Sequence, residues 1–247
     1  EAWGQINFSY ISINDGLSQS TVFSIAQDKL GNMWFATYDG VNKYDGYTFT
    51  VYQHDENDPN SIANDISRIV MTDSKGRVWI GTRDGLSYYD EEKDKFQNFF
   101  LEKNGKHLQV NGIVELSPEQ LLISTLEGLT MFDIPASRFV DDIFGTAMHK
   151  MVASALYRHD DQIYIGTPSD GLYCYSIPKN TLEKLAYIPG SKQIQSILQQ
   201  PRKVPAFSLS TPRPGKSKHT GIPLPTRNPS VPTISAHWHW IHKTACG

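Results

Sequence analysis

Cysteine and long apolar runs are scarce in this sequence of 247 residues. Only Cys174 and Cys246 are present, which excludes a disulfide framework as the basis of the fold. No stretch of about 18 consecutive apolar residues occurs, so no membrane-spanning helix is predicted within the chain. The N-terminal EAWGQINFSY has neither the basic nor the apolar block of a signal peptide. We therefore expect either a cytoplasmic protein or one whose signal peptide has already been removed.

Acidic residues are missing from one part of the chain. Residues 201–247 contain seven Lys or Arg and no Asp or Glu, whereas residues 1–200 contain all 26 acidic residues. Eight of the 14 prolines also lie in this tail. On composition alone, such a segment is typical of a disordered tail or of a basic arm that binds nucleic acid.

Helical periodicity is absent as well, and in its place the sequence has an internal repeat of about 43 residues. Four segments align: 23–45, 67–90, 112–133 and 154–176. Each contains a threonine, and successive threonines are 45, 43 and 42 residues apart. A glycine follows within four positions; the pairs are Thr37 and Gly40, Thr82 and Gly85, Thr125 and Gly128, and Thr167 and Gly171.

The apolar pattern within each unit is that of short strands separated by turns. Four strands fit the first unit, at 22–28, 33–37, 41–44 and 47–52. Four strands in a period of this length predict an all-β fold, a β-propeller. The sequence predicts about four complete four-stranded blades, at 21–52, 66–99, 110–140 and 152–187. A broken fifth blade begins at 193. The predicted fold is therefore an incomplete (truncated) propeller.

The tail ends in AHWHWIHKTACG, whose histidines and cysteine are of the types that bind zinc. Tryptophan has a single codon, so the codons of His237–Ile241 can be read from their third positions as Leu-Ala-Leu-Asp without any free choice. The rest of the tail, read in the same way, resembles the repeat. We therefore predict that 201–247 is an out-of-frame translation of the next blade. The prediction includes neither a metal site nor a nucleic-acid arm there.

Strand alternation predicts that the turn between the second and third strands shares a face with the links between blades. Ligands commonly bind on loop-bearing faces of such scaffolds. The candidate ligand-binding residues on this face are Tyr38, Arg83, Asp84, Glu127 and Asp170, together with Asp39 and the link at 53–65. Tyr38 and Arg83 are distinctive because Leu126 and Pro168, at the same position of the repeat, have different chemistry. The Asp-Gly pairs are favoured as tight turns, and Trp34 and Trp79 as packing between blades.

Residues 8–46, FSYISINDGLSQSTVFSIAQDKLGNMWFATYDGVNKYDG, and repeats such as GRVWIGTRDGLSYYD resemble two-component regulator propeller repeats. These repeats form the periplasmic sensor region of hybrid two-component histidine kinases of gut bacteria. The resemblance implies a membrane-anchored parent, expected to be homodimeric, that senses an oligosaccharide and regulates genes for glycan use. It implies a periplasmic location, and no kinase domain is expected within these residues.

Two other classes of function stay open: a propeller lyase and a protein-interaction scaffold. A lyase requires a base with metal or acid residues near the central channel, and the sequence suggests no such set. No catalytic residue, cofactor or metal is therefore predicted, and the expected partner is a glycan fragment rather than a nucleic acid. Because a propeller is stabilised by closing its ring, we expect a truncated one to be unable to signal.

Overall fold

The computed structural model describes residues 10–140 and 150–186 of the chain. Contacts between residues divide the chain into two units after Arg202, and the second unit, Lys203–Gly247, lies outside the described residues. Apart from a short 3-10 helix at Ile13–Asp15, the regular structure of the described residues consists of β-strands. The predicted all-β class is confirmed.

Sixteen of the described strands form four antiparallel sheets of four, each built from strands that follow one another in the sequence. We number these sheets blades 1 to 4, and the remaining two strands form a hairpin between blades 2 and 3. In chain order the strands are β1 (Val22–Gln27), β2 (Met33–Thr37), β3 (Val41–Tyr44), β4 (Phe49–Tyr52), β5 (Ser67–Thr72), β6 (Val78–Thr82), β7 (Gly85–Asp90), β8 (Lys95–Phe99), β9 (Glu102–Lys103), β10 (Lys106–His107), β11 (Val110–Ser117), β12 (Gln120–Thr125), β13 (Gly128–Asp133), β14 (Arg138–Val140), β15 (Ala155–His159), β16 (Gln162–Thr167), β17 (Gly171–Ser176) and β18 (Thr181–Ala186).

The first repeat unit folds as its pattern predicts. Its four predicted strands agree with β1 to β4 to within two residues at each end. The β9–β10 hairpin, by contrast, was not predicted from the sequence. The fifth blade, predicted from residue 193, and the tail at 201–247 lie outside the described residues.

The apolar core lies between neighbouring blades. One cluster of buried side chains joins blades 1 and 2, a second joins blades 2 and 3, and a third joins blades 3 and 4. Trp34 is fully buried in the first cluster and Trp79 is 2% exposed in the second, as their predicted role in packing requires. Burying a large apolar side chain contributes about 1.5–3 kcal/mol, so these clusters supply much of the stability.

Blades 1 and 2 share a polar turn that holds the tryptophan, which we call the Asp–Trp turn. In blade 1 the Trp34 indole N–H donates to Asp28 Oδ2 at 2.9 Å, and Leu30 and Asn32 donate backbone N–H groups to Asp28 Oδ1. In blade 2 the Trp79 indole N–H donates to Asp73 Oδ2 at 2.9 Å. Each aspartate therefore closes the turn between the first two strands and satisfies an indole that would otherwise be buried without an acceptor.

Ionisation of Asp28 is favoured by this arrangement. Burial disfavours the charged carboxylate, but hydrogen bonds from the Trp34 indole and from Asn32 outweigh burial. The result is a pKa for Asp28 below its usual value. The negative charge is thus part of the folded turn.

Candidate functional site

The turns between the second and third strands of the blades lie beside the links between blades, and we call this side of the blades the loop face. The Gly40 N–H donates to the Asp65 carbonyl at 2.7 Å, and the Arg83 N–H donates to the Ile66 carbonyl at 2.9 Å. The Gln53 side-chain amide also donates to Asp39 Oδ1 at 2.7 Å. The predicted meeting of these turns with the link at 53–65 is present in blades 1 and 2.

A buried threonine forms each of these turns. Its hydroxyl donates to the carbonyl of the glycine that begins the third strand or, in blade 1, directly precedes it, at distances between 2.9 and 3.1 Å; the pairs are Thr37 and Gly40, Thr82 and Gly85, Thr125 and Gly128, and Thr167 and Gly171. The same hydroxyl accepts a backbone N–H from Asp39, Asp84, Glu127 or Asp170. We call this arrangement the threonine clamp. The clamp explains why the threonine recurs. The side chain of the residue directly after the threonine takes no part in these hydrogen bonds.

The glycines of the clamp are needed for backbone reasons. Gly40 has a φ of 82°, and a Cβ there would lie 2.2 Å from the Tyr52 carbonyl oxygen. Gly85 would place a Cβ 2.5 Å from the Phe99 carbonyl oxygen. Residues with a side chain therefore clash with the neighbouring strand, which supports the assignment of the Asp-Gly pairs as tight turns.

The structure places the acidic candidates on the loop face and pairs each of them. Asp84 accepts a hydrogen bond from the Asn64 side chain at 2.8 Å, and Glu127 forms an ion pair with Lys103 at 2.9 Å. Asp170 accepts hydrogen bonds from Lys184 Nζ and from the Tyr173 hydroxyl. Lys184 and Tyr173 hold the pKa of Asp170 below its usual value. Asp84 is therefore engaged with the link before its blade, Glu127 with the β9–β10 hairpin and Asp170 with its own blade, although Glu127 and Asp170 stay solvent-exposed.

Tyr38 lies in an aromatic and cationic group that the sequence did not reveal. Tyr38 is 44% exposed, and its ring and the Phe23 ring meet edge to face with the centroids 4.5 Å apart. The Arg68 guanidinium carbon lies 4.6 Å from the Phe23 centroid and 5.3 Å from that of Tyr38. Phe23 belongs to the first strand of blade 1 and Arg68 to that of blade 2, so the group spans two blades.

A β-bulge presents these side chains. The pairing register of the first strand shifts around Phe23 in blade 1, around Arg68 in blade 2 and around Asn111 in blade 3. Each bulge residue lies fourteen positions before the clamp threonine. Bulges redirect side chains and are frequent beside functional sites. The sequence signal for these bulge residues is their fixed spacing from the clamp threonine, together with the change of residue type from Phe23 to Arg68 to Asn111.

A cavity of about 170 Å³ lies on the loop face at blade 3. Glu127 and its ion-pair partner Lys103 line it, with Leu101 and Leu108 from the β9–β10 hairpin region. A second cavity of about 340 Å³ is lined by the Asp–Trp turns of blades 1 and 2, including Asp28, Lys29 and Arg77. The loop face therefore offers both a concave surface and an exposed aromatic ring, but they belong to different blades.

Within residues 10–140 and 150–186, no group of three or more His, Cys, Asp or Glu side chains is placed to hold a metal ion. The same residues contain no helix long and apolar enough to cross a membrane. The histidine-rich end of the chain, at 237–242, lies outside them.

The repeat found in the sequence has counterparts in known proteins. Residues 16–39 match the family model described as "Two component regulator propeller". Histidine kinase P4 of Formosa agariphila is 49% identical over 59 residues, which is 23% of this chain and 4% of that protein. The resemblance to two-component regulator propeller repeats is thereby confirmed.

Solved structures extend the likeness to most of this chain. The extracellular domain of a hybrid two-component system of B. thetaiotaomicron is 26% identical with a TM-score of 0.61, over 72% of this chain and 26% of that one. A second such domain from the same organism is 16% identical with a TM-score of 0.57, over 73% and 27%. At that identity it shows the fold alone. The chain thus spans about a quarter of each of these extracellular domains.

Proposed function

We propose that this chain, which carries two-component regulator propeller repeats, is part of the extracytoplasmic ligand-sensing region of a hybrid two-component receptor. Its ligand is an oligosaccharide, bound through non-covalent contacts on the loop face. Binding regulates genes for glycan use through the histidine kinase of a membrane-anchored, homodimeric parent. The location of this region is periplasmic. The 26% identical neighbour described as an extracellular domain of such a system supports the receptor assignment.

The observation that carries ligand recognition is a constant scaffold with a changing side chain. All four described blades keep the threonine clamp, whereas the next residue is Tyr38, Arg83, Leu126 or Pro168. Since the clamp forms without these side chains, their identity is not required by the fold. Exposed residues that differ on a repeated scaffold are the usual means by which such surfaces gain specificity.

Tyr38 has the properties of a sugar-binding ring. It is exposed enough to meet a ligand, and Phe23 fixes one of its edges, so a sugar ring could stack on it at little entropic cost. A propeller lyase would instead need a base with an acid or metal, and an interaction scaffold would need a protein partner. These alternatives are outcomes of the test that follows.

The test is a screen of the purified chain against a glycan array, followed by calorimetry with the best binder. Tyr38→Ala should weaken that binding at least fivefold. The matched control is Tyr47→Ala, because Tyr47 is 91% exposed in the β3–β4 turn, at the opposite end of blade 1. Equal loss in both variants would refute the loop-face assignment. Cleavage of the glycan during the titration would favour the lyase, and capture of a protein without any glycan binding would favour the scaffold.

A further inference from the structure

We infer that the loop face between blades 1 and 2 binds an acidic saccharide, and that Arg68 and Arg83 hold the anionic group. The group is a carboxylate or a sulfate carried on a sugar ring. The inference rests on the proposed function, because it names the class of oligosaccharide that the site takes. Four observations on the side chains of this region lead to it.

The first observation is a buried donor without an acceptor. Arg68 Nε is buried and has no hydrogen-bond partner among residues 10–140 and 150–186. Buried polar atoms are nearly always paired, and an unpaired one calls for a specific explanation. Arginine has five N–H donors in a fixed plane, and contacts with aromatic rings do not replace their acceptors. Nε itself is too deep for a ligand to touch, but Arg68 as a whole is only half-buried. The terminal N–H groups of the same guanidinium also have no acceptor among the described residues, and a ligand oxygen is the partner that fits them.

The second observation is a positive charge without a counter-charge. In the described part of the chain, neither the Arg68 nor the Arg83 side chain takes part in an ion pair. The carboxylates of the same region, Asp39, Asp65 and Asp84, accept hydrogen bonds from Gln53, the His54 N–H and Asn64. Among the described residues, none of these carboxylates forms an ion pair with either guanidinium, so both guanidinium groups keep donors for a ligand.

The third observation is that the two arginines occupy positions that meet in the neighbouring blade. In blade 1 these repeat positions hold Phe23 and Tyr38, whose rings are in contact. In blade 2 they hold Arg68 and Arg83. The hydrogen bond from the Arg83 N–H to the Ile66 carbonyl also ties this turn to the start of the strand that carries Arg68. From this equivalence we infer that the two guanidinium groups lie close together, an arrangement that favours a carboxylate or sulfate, which accepts paired N–H bonds.

The fourth observation is that aromatic rings lie beside the Arg68 guanidinium. Phe23 and Tyr38 lie against the Arg68 guanidinium and position it, and Tyr38 keeps 44% of its surface exposed. A ring surface beside a paired cation suits an anionic group attached to a sugar better than a free inorganic ion. The rings would contact the sugar while the arginines hold its charge.

The test uses the full chain and an array of neutral, uronate-containing and sulfated oligosaccharides. The strongest binders should be acidic. The best binder is then compared by calorimetry with its neutralised form, methyl-esterified for a uronate or desulfated for a sulfate. We expect the neutralised form to bind at least tenfold more weakly. Raising the salt concentration should weaken binding of the acidic form only.

Variants locate the charge. Arg68→Gln should weaken binding of the acidic ligand at least tenfold, Arg83→Gln about threefold to tenfold, and Arg68→Lys less than Arg68→Gln. The control is Arg138→Gln, which removes an equal charge from an exposed position on the outer strand of blade 3 and should change binding less than twofold. If Arg68→Gln does not fold, as judged by circular dichroism, the exposed Arg83 and the neutralised ligand still decide the question.

The outcomes separate this inference from the proposed function. If neutral oligosaccharides bind best, or if Arg68→Gln leaves acidic binding unchanged, the acidic class is wrong while saccharide sensing stands. If the folded chain binds no saccharide on the array, both are wrong. Acidic binding that is lost equally in Arg138→Gln would show a diffuse charge effect and would overturn the assigned residues.

Discussion

Blades 1 and 2 differ from blades 3 and 4 in how they close the first turn. Blades 1 and 2 place a tryptophan three residues before the clamp threonine and anchor its indole to an aspartate. Blades 3 and 4 have Leu122 and Tyr164 at that position, and a shorter turn from Ser117 to Gln120 or from His159 to Gln162. All four blades keep the same antiparallel order of four strands, although β11 has a second register shift between Glu115 and Ser117 and the pairing of β15 with β16 has none. A four-stranded sheet can therefore be closed either by a tryptophan hydrogen-bonded to a buried aspartate or by a short turn beside Leu122 or the half-buried Tyr164.

The largest expected effect comes from removing an anchored tryptophan. Trp79→Ala empties a site between blades 2 and 3 and leaves Asp73 without its indole donor, so we expect a loss of about 3–5 kcal/mol in the free energy of unfolding. Tyr164→Ala, at the same position of blade 4, is half-buried and should lose about 1–2 kcal/mol. Urea unfolding measures both. Equal losses would show that the anchored and the short turns are energetically alike.

Removing the carboxylate tests the anchor itself. Asp73 accepts hydrogen bonds from Trp79, from the Arg77 side chain, and from backbone N–H groups of Lys75 and Arg77. Asp73→Ala strands these donors, and we expect a loss of about 2–4 kcal/mol by chemical denaturation. Ser117→Ala is the control from the short turn of blade 3 and should lose less than about 0.5 kcal/mol. A loss as large in the control would contradict the comparison.

The threonine clamp should instead affect both pairs of blades alike. Thr82→Val and Thr167→Val each lose the hydroxyl bond to a glycine carbonyl and leave a backbone N–H without its acceptor. We expect a loss of about 1–2 kcal/mol for each in thermal unfolding. The matched change is Thr50→Val, at an exposed position of β4, which should be close to neutral. A clamp that matters in only one blade would show that the repeat is not structurally uniform.

The smallest expected effect is a pH dependence that arises from the Asp–Trp turn of blade 1. The pKa of Asp28 is lowered from 3.8 in the folded chain. Its charged form therefore contributes stability above pH 3.8, and this contribution is lost as the pH falls through the folded pKa. Asp28→Asn should flatten the acid side of the stability profile measured between pH 2 and 6. An unchanged profile would assign acid sensitivity to other carboxyl groups.

The sequence predicts the strands well because their signal is local and is repeated. The spacing of Thr37, Thr82, Thr125 and Thr167 locates the turns, and the apolar runs before them give the buried strands. The hydrogen bonds that anchor the indoles were not predicted from the sequence. Within a single repeat, nothing marks an aspartate six residues before a tryptophan, such as Asp28 before Trp34, as its acceptor. The fifth blade and the frame interpretation of 201–247 stay predictions, and resequencing the DNA that encodes Gln199–Arg202 would test them.

The candidate site was predicted only in part. Tyr38, Arg83, Asp84, Glu127 and Asp170 lie on the loop face, but the sequence could not show that Asn64, Lys103 and Lys184 pair with the acids. Those partners lie 14 to 24 residues away in links and outer strands. Arg68 was missed because a bulge, rather than strict alternation, directs its side chain. Contacts of the acids with links, with the β9–β10 hairpin and with the outer strand of blade 4 determine which charges are available, and these contacts depend on the folded arrangement.

The threonine clamp separates two evolutionary demands on the loop face. Because the hydroxyl closes each turn through main-chain atoms alone, a mutation at Tyr38, Arg83, Leu126 or Pro168 need not be repaired elsewhere. Recognition can therefore change by single substitutions while the hydrogen bonds of the clamp stay in place. A combinatorial library that varies these four codons first and the bulge residues second would sample new specificities with few misfolded members.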